Sequence, residues 1–154
     1  MSDSDQSIRC MLLPYSAELL LVPSSAVSEI IGYTQPTKAD SNRDWFLGLT
    51  SWRGLTVPVV SLESMCQVKA DVERETSRMV IISNPNDDSE LPYAGFHIYG
   101  TPRTYMAVED ELPQGESENL CKYMIAKIQM NEETWLVPNL EVILSDLKAE
   151  LMPA

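Results

Sequence analysis

Histidine, cysteine and glycine are scarce in this sequence, and their scarcity excludes several kinds of site. The 154 residues include one histidine, His97, three cysteines and six glycines. Because Cys10, Cys66 and Cys121 are widely spaced and form no Cys-x-x-Cys pair, a Cys/His zinc site cannot be assembled. We interpret them as buried, reduced thiols. The glycines are too scattered to wrap a nucleotide, which argues against a phosphate-binding loop.

Basic residues are also few. The chain has 11 Lys and Arg residues against 23 Asp and Glu residues, a net charge of −12. Binding to nucleic acid needs a concentrated basic face, and an anionic membrane surface attracts basic segments. The charge balance therefore argues against both partners, and we interpret the acidic excess as a source of solubility.

Long apolar runs are missing as well. No run approaches the roughly 20 residues that span a bilayer. The N-terminal sequence MSDSDQS lacks the charged and then apolar layout of a signal peptide. We therefore expect no membrane insertion, a cytoplasmic location and a disordered leader over residues 1–7.

Catalytic motifs are absent too. The sequence contains no Gly-x-Ser-x-Gly elbow and no His-Glu-x-x-His motif. A Ser/His/Asp triad would have to use His97, but this residue lies in the middle of an apolar segment, where a packed side chain is expected. The acidic pair in NDD, residues 86–88, is interpreted as part of a solvated turn rather than as a cation site. We predict no catalytic residues, no metal, no cofactor and no enzyme activity.

Short apolar segments separated by turn residues make up most of the chain. This pattern predicts about nine short strands and favours barrels over a parallel α/β sheet. The clearest predicted strands cover residues 8–13, 17–22, 49–52, 55–60, 78–83, 93–99, 104–108, 121–130 and 134–138. Trp52 and Trp135 lie in such segments and are predicted to be core residues, whereas Trp45 is expected to be partly exposed.

Helical signals are few and short. Ser24 or Ser25 is a plausible N-cap for one short helix, and Asp44 for a single turn that ends at Gly48. LESMC, residues 62–66, predicts another short helix. The longest prediction is a C-terminal amphipathic helix over NLEVILSDLKAEL, residues 139–151, because its apolar residues recur at helical spacing.

The least ordinary stretch is FLGLTSWRGLTVPVVSL, residues 46–62. Its alternation predicts a β-hairpin in which Gly54 supplies the positive φ of a tight turn. Pro58 cannot donate to a ladder and is expected at an edge or a bulge. Such turns usually prefer Asn or Asp before the glycine, so turn formation does not explain Arg53. A solvated turn residue and a recognition cation both remain open, and the sequence favours recognition because a guanidinium binds carboxylates and carbonyls well.

The order of the segments resembles the CheW-like domain family of bacterial chemosensory coupling proteins. The resemblance covers residues 8–147 and is carried by LLVPSSAVSEIIGY, by residues 46–62 and by TWLVPNLEVILSDL. The family pattern Gly-x-x-x-x-Arg-Gly-x-x-x-Pro-Val is matched by Gly48, Arg53, Gly54, Pro58 and Val59. An internal echo between LTVPVVSLESM and TWLVPNLEVIL is consistent with two related halves.

The resemblance implies a mostly β fold of two intertwined five-stranded SH3-like barrels with short helices. The first barrel would cover roughly residues 20–80, and the second roughly 81–140 together with the N-terminal strand; residues 148–154 would form a tail. It also implies a non-catalytic adaptor between the cytoplasmic tip of a methyl-accepting chemoreceptor and the regulatory domain of a CheA-type histidine kinase. The receptor-binding positions it implies are Val27, Glu29, Gly48 and Arg53.

The sequence departs from the family pattern at several places. Ser61 stands where an acidic residue is usual, Trp52 replaces an aliphatic residue, and residues 98–101 differ from the usual Val-Asp-x-Val segment. These departures suggest a divergent member that serves a type IV pilus (twitching motility) system rather than flagellar chemotaxis. Two alternatives stay open: a scaffold of this fold that has lost receptor coupling and binds another regulatory partner, and a small-molecule-binding barrel domain.

Overall fold

The protein is described by a computed structural model over residues 7–69, 76–108 and 111–151. Most of the predicted leader lies outside these ranges, and residue 7 already belongs to the first strand. The ten strands of the described ranges are β1 Ser7–Tyr15, β2 Glu18–Pro23, β3 Val27–Gly32, β4 Phe46–Trp52, β5 Leu55–Val60, β6 Ser77–Ser83, β7 Tyr93–Tyr99, β8 Arg103–Val108, β9 Met124–Met130 and β10 Glu133–Pro138. The α-helices are α1 Leu62–Met65 and α2 Leu140–Leu151, and one 3-10 turn covers Ser24–Ala26.

The strands form two five-stranded sheets. Sheet one has the order β3-β6-β7-β5-β4, and sheet two has the order β8-β1-β2-β10-β9. Each contains one parallel pair, β5 with β7 and β2 with β10, and its other pairs are antiparallel. Within the described ranges neither hydrogen-bond ladder closes on itself, but the mostly β, SH3-like prediction with two five-stranded units and short helices is confirmed.

The main core lies where the two sheets and α2 meet. Ile143, Leu144 and Leu147, on the apolar face of α2, are fully buried against side chains of both sheets. Two smaller apolar clusters complete the packing. One contains Trp52 and Met79 from sheet one, and the other contains Leu12 and Trp135 from sheet two. The predicted core positions of both tryptophans are confirmed.

The sheet membership differs from the predicted division of the chain. β2 lies in sheet two although most of it falls within residues 20–80, and β7 lies in sheet one although it follows residue 80. The reason is the parallel pairing of β5 with β7, which joins Val59 to Gly95 and brings a later strand back to the first unit. Residues 148–151 of the predicted tail belong to α2, which continues to Leu151, and the rest of that prediction lies outside the described residues.

Two local predictions were wrong. The expected helical turn after Asp44 is the start of strand β4, in which Phe46 pairs with Val60. A tertiary partner strand overrides the weak local helix signal here. The short helix expected after Ser24 is a single 3-10 turn without a side-chain cap, and Val27 already starts a strand.

The cysteine prediction was wrong for two of the three residues. Cys66 and Cys121 form a disulfide that links residues 55 positions apart, with the Cα atoms 5.6 Å from each other. Folding places the C-cap of α1 beside the segment that leads into β9, and linear spacing gives no indication of this. Cys10 is a buried free thiol as predicted, and burial raises its pKa.

Candidate docking site

The turn between β4 and β5 displays a cation at its tip. Trp52 pairs with Leu55, and both intervening residues have positive φ, 50° at Arg53 and 77° at Gly54. Two left-handed residues match the type I′ turn that suits the twist of a hairpin. The hairpin prediction is therefore confirmed. Arg53 adopts a conformation that is unfavourable for most L-residues, so its presence is not a consequence of turn formation.

Arg53 contacts two side chains while staying largely open to solvent. Its Nη2 lies 3.1 Å from Oε1 of Glu29, and its guanidinium carbon lies 4.8 Å from the ring centre of Trp52. The arginine side chain is 67% exposed and the glutamate side chain 39%. Trp52 Nε1 donates a hydrogen bond of 2.9 Å to the same carboxylate oxygen. We call Glu29, Trp52 and Arg53 the first Trp–Glu–Arg set.

The curl of sheet one brings this set together. Glu29 lies on β3, whereas Trp52 ends β4, and these are the two edge strands at opposite ends of the sheet order. The hydrogen bond from Trp52 and the ion pair with Arg53 therefore connect Glu29 on β3 to the end of the β4–β5 hairpin, although β3 and β4 are not neighbours in the sheet. A register shift between Val27 and Glu29 marks an irregularity in β3 at this point. Such irregularities bend a strand and re-aim its side chains.

The other two predicted receptor-binding positions lie apart from these contacts. Val27 is half-buried at the start of β3, where it pairs with Ile82 and packs against the main core. Gly48 is buried in β4 with φ +134°, and a Cβ at this position would lie 2.3 Å from the carbonyl oxygen of Thr37. Thr37 bridges Leu49 through two backbone hydrogen bonds of 2.8 Å. Gly48 thus allows the preceding loop to lie against β4.

Sheet two contains a second set with the same chemistry, which the sequence did not indicate. Trp135 Nε1 donates a hydrogen bond of 3.0 Å to Glu133, and Arg103 Nη2 lies 2.9 Å from the same oxygen. The tryptophans also have matching neighbours: Tyr105 contacts Trp135 edge-on at 4.8 Å, and Tyr93 contacts Trp52 at 4.9 Å. We call Arg103, Glu133 and Trp135 the second Trp–Glu–Arg set. It joins β8 to β10, which are also not neighbours in their sheet.

The two sets differ in how the carboxylate is used. In the second set Arg103 contacts both oxygens of Glu133, and the hydrogen bonds from Trp135 and Arg103 lower the pKa of this carboxyl group. In the first set both contacts fall on Oε1 of Glu29. The first set also adjoins an apolar side chain at the surface, because Leu55, directly after the turn, is 42% exposed. The first set therefore combines polar groups with exposed apolar area.

The groups considered for catalysis have other roles. His97 is half-buried, with its ring stacked on Tyr33 at 3.7 Å and tilted against Tyr99 at 4.4 Å. Burial lowers its pKa to about 4, so the imidazole is neutral near pH 7, and the prediction of a packed side chain is confirmed. In the NDD turn, Asp88 pairs with Lys148 of α2. Among the described residues no group of three or more His, Cys, Asp or Glu side chains could hold a metal ion.

A cavity with a mainly polar lining lies away from the first set. An open cavity of about 750 Å³ is lined by Trp45, Lys69 and Tyr123, between the loop before β4 and the segment before β9. Trp45 is half-buried there, in agreement with the sequence prediction. The residues around this cavity are mainly polar. The charged members of the first set, Arg53 and Glu29, are therefore accessible at the surface rather than enclosed in this cavity.

Comparisons with known proteins agree with this architecture. The fold matches the crystal structure of the scaffolding protein TtCheW from Thermoanaerobacter tengcongensis with a TM-score of 0.73 and 14% sequence identity. The match covers 88% of this chain and 86% of that chain, and at this identity it establishes the fold alone. A sequence search found no matching curated protein. None of the described helices is both long and apolar enough to traverse a bilayer. The family model of the CheW-like domain matches residues 9–148, so the chain belongs to the CheW-like domain family.

Proposed function

We propose that the protein is a non-catalytic cytoplasmic adaptor that couples methyl-accepting chemoreceptors to a CheA-type histidine kinase in a bacterial chemosensory pathway. Support comes from membership of the CheW-like domain family and from the fold shared with a protein described as a scaffold. The observation that carries the proposal is the exposed Arg53 guanidinium, held beside Glu29 at the tip of the β4–β5 hairpin. A cation in this unfavourable backbone conformation is best explained by a partner that contacts it.

The receptor partner would be the cytoplasmic tip, a helical hairpin. A docked helix presents polar and apolar side chains along one face. Glu29 can accept hydrogen bonds from the polar side chains of the helix, and Arg53 can donate them. The exposed part of Leu55 can pack against the apolar side chains of the helix. Val27 lies two residues before Glu29 on β3 and would extend the apolar contact. Gly48 would act indirectly, by allowing the loop that contains Thr37 to pack against β4.

The kinase partner would be the regulatory domain, which in this family has the same fold. Contact between two such domains would pair one β unit with another. The proposal includes no nucleic acid, no membrane insertion and no cofactor. It is compatible with the acidic composition of the chain, which carries a net charge of −12.

We further infer that the pathway is a type IV pilus system. The support is the set of departures from the usual family pattern, of which Trp52 has the clearest structural consequence because it forms part of the first Trp–Glu–Arg set. The departure at Ser61 has a smaller structural consequence. Its side chain caps α1 by accepting a hydrogen bond from the backbone N–H of Ser64, and an aspartate would do the same.

The test compares the charge reversal of Arg53 with the charge reversal of Arg103, which makes similar contacts in the second set. Arg53→Glu and Arg103→Glu each break an exposed Arg–Glu pair next to a tryptophan. Exposed pairs contribute about 0–1 kcal/mol, so both variants should melt close to the wild type. In pull-downs with a receptor signalling fragment, Arg53→Glu should lose most of the binding and Arg103→Glu should keep it.

A pull-down with the kinase regulatory domain distinguishes receptor binding from kinase binding. The kinase regulatory domain should be captured equally by the wild type and by Arg53→Glu, because the proposed receptor site is distinct from the kinase contact. Receptor binding that survives Arg53→Glu unchanged would show that the proposed site is wrong. Loss of both partners with an unchanged melting curve would show that Arg53 serves the kinase contact as well.

A further inference from the structure

Trp52 is fixed more firmly than either charged member of the first set. It is only 7% exposed, and it packs in the apolar cluster that contains Val57 and Met79. Tyr93 contacts its ring edge-on at 4.9 Å. The packing of the indole in the core of sheet one therefore fixes the position of its N–H.

The side chains of Glu29 and Arg53 are long, and both are open to solvent, Arg53 more than Glu29, so they would be mobile without a support. Immobilising such a side chain on binding costs about 0.5–1.5 kcal/mol. The indole N–H of Trp52 holds one oxygen of Glu29 at 2.9 Å, and its ring lies under the Arg53 guanidinium. A core residue thus orders two surface groups before any partner is bound.

We propose that Trp52 is the positioning residue of the receptor-docking site. Its buried indole holds the Glu29 carboxylate and supports the Arg53 guanidinium in the arrangement that the receptor helix contacts. This inference rests on the proposed function. It assigns a role to a residue at which the chain departs from the usual family pattern, and it predicts that removing the indole weakens binding through Glu29 rather than through the fold.

The experiment compares Trp52→Phe with Trp135→Phe. The second set provides a matched control, because Trp135 is also buried, donates to a glutamate that pairs with an arginine and contacts a tyrosine edge-on. Both variants should lower the melting temperature. By isothermal titration with a receptor signalling fragment, Trp52→Phe should bind about fivefold more weakly, the loss expected for one hydrogen bond to a charged group in a partly exposed site. Trp135→Phe should bind as tightly as the wild type.

A double-mutant cycle distinguishes positioning from general damage. If Trp52 acts through the carboxylate, Trp52→Phe should weaken binding by less than twofold when Glu29 is already alanine. A loss that is equal in the wild-type and Glu29→Ala backgrounds would overturn the inference, as would wild-type binding by Trp52→Phe. If Trp52→Phe binds normally while Arg53→Glu does not, the positioning role is wrong and the proposed function stands. If neither substitution affects binding, the proposed function fails first.

A second measurement covers the case in which Trp52→Phe does not fold. The protein has three tryptophans, so three indole N–H signals are expected in a proton–nitrogen NMR spectrum. In the wild type, titration with the receptor fragment should shift the Trp52 indole signal more than the Trp135 signal. Glu29→Ala should shift the same Trp52 signal in the absence of receptor. A Trp52 indole signal that does not respond to the receptor fragment would overturn the inference.

Discussion

At the residue scale, the lone histidine shows how burial decides chemistry. His97 lies mid-strand in β7, and its ring is enclosed by Tyr33 and Tyr99. Its Nε2 is buried and makes no hydrogen bond within the described part of the chain. Burial removes water from the imidazole, which disfavours its protonated form, so the folded protein favours the neutral form.

This environment predicts a specific dependence of stability on pH. Burial lowers the pKa of His97 from 6.5 to about 4, so between these values the unfolded chain binds a proton that the folded chain does not. The free energy of unfolding should therefore fall as the pH drops from 6.5 towards 4, and the His97 contribution should level off below 4. We expect about 1 kcal/mol, because partial solvent exposure reduces the effect.

The measurement is urea unfolding of the wild type and His97→Phe at pH 7 and at pH 4.5. Carboxyl groups titrate in both proteins, so only the difference between the two reports on His97. Phenylalanine keeps an aromatic ring between the tyrosines. If both proteins lose the same stability on acidification, His97 is not held neutral by the fold.

At the element scale, the start of α1 depends on one side chain. Ser61 follows β5, and its Oγ accepts a hydrogen bond from the N–H of Ser64 at 3.2 Å. The helix that follows is only four residues long, yet it buries Leu62, Glu63 and Met65. A short helix has little propensity of its own, so the cap and the burial stabilise it together.

Substitution of Ser61 tests this cap. Ser61→Ala should lower the free energy of unfolding by about 1 kcal/mol because the first turn loses its acceptor, whereas Ser61→Asp should stay near the wild type. Urea unfolding curves of the three proteins provide the comparison. A Ser61→Ala protein as stable as Ser61→Asp would show that the packing of Leu62 and Met65 alone holds α1.

At the scale of the whole molecule, the disulfide ties the two sheets together. Cys66 follows α1, which continues from β5 of sheet one, and Cys121 precedes β9 of sheet two. The bond closes a loop between residues 55 positions apart. Closing a loop of this length restricts the unfolded chain and is worth about 3–4 kcal/mol.

Thiol titration and thermal unfolding test the disulfide. In denaturant without reductant the chain should show one reactive thiol, from Cys10, and three after reduction. The double variant Cys66→Ser/Cys121→Ser should melt at a lower temperature than the wild type. Adding reductant should lower the melting temperature of the wild type but not that of the variant. Three reactive thiols before reduction would contradict the crosslink.

Local patterns in the sequence were sufficient for most of the elements, although not for β3 or for the start of β4. Short apolar segments between turn residues predicted the strands from β6 to β8 to within one residue, Gly54 marked the hairpin turn, and apolar residues at helical spacing predicted α2. The resemblance to the CheW-like domain family predicted the two five-stranded units. These features depend on residues that are close together in the chain, so a single sequence contains the patterns that predict them.

The tertiary structure alone decided which distant groups meet. It paired Cys66 with Cys121 and joined Glu29 to Trp52 across 23 positions. It also buried the Glu63 carboxylate, which accepts a hydrogen bond from the N–H of Ser16 and whose pKa is raised by desolvation. Alternation predicts the second half of β4, from residue 49 to Trp52, but no local pattern contains information on how far a five-stranded sheet curls. That curl depends on the packing of the whole core, and it brings the edge strands close enough for Glu29 to contact Trp52 and Arg53.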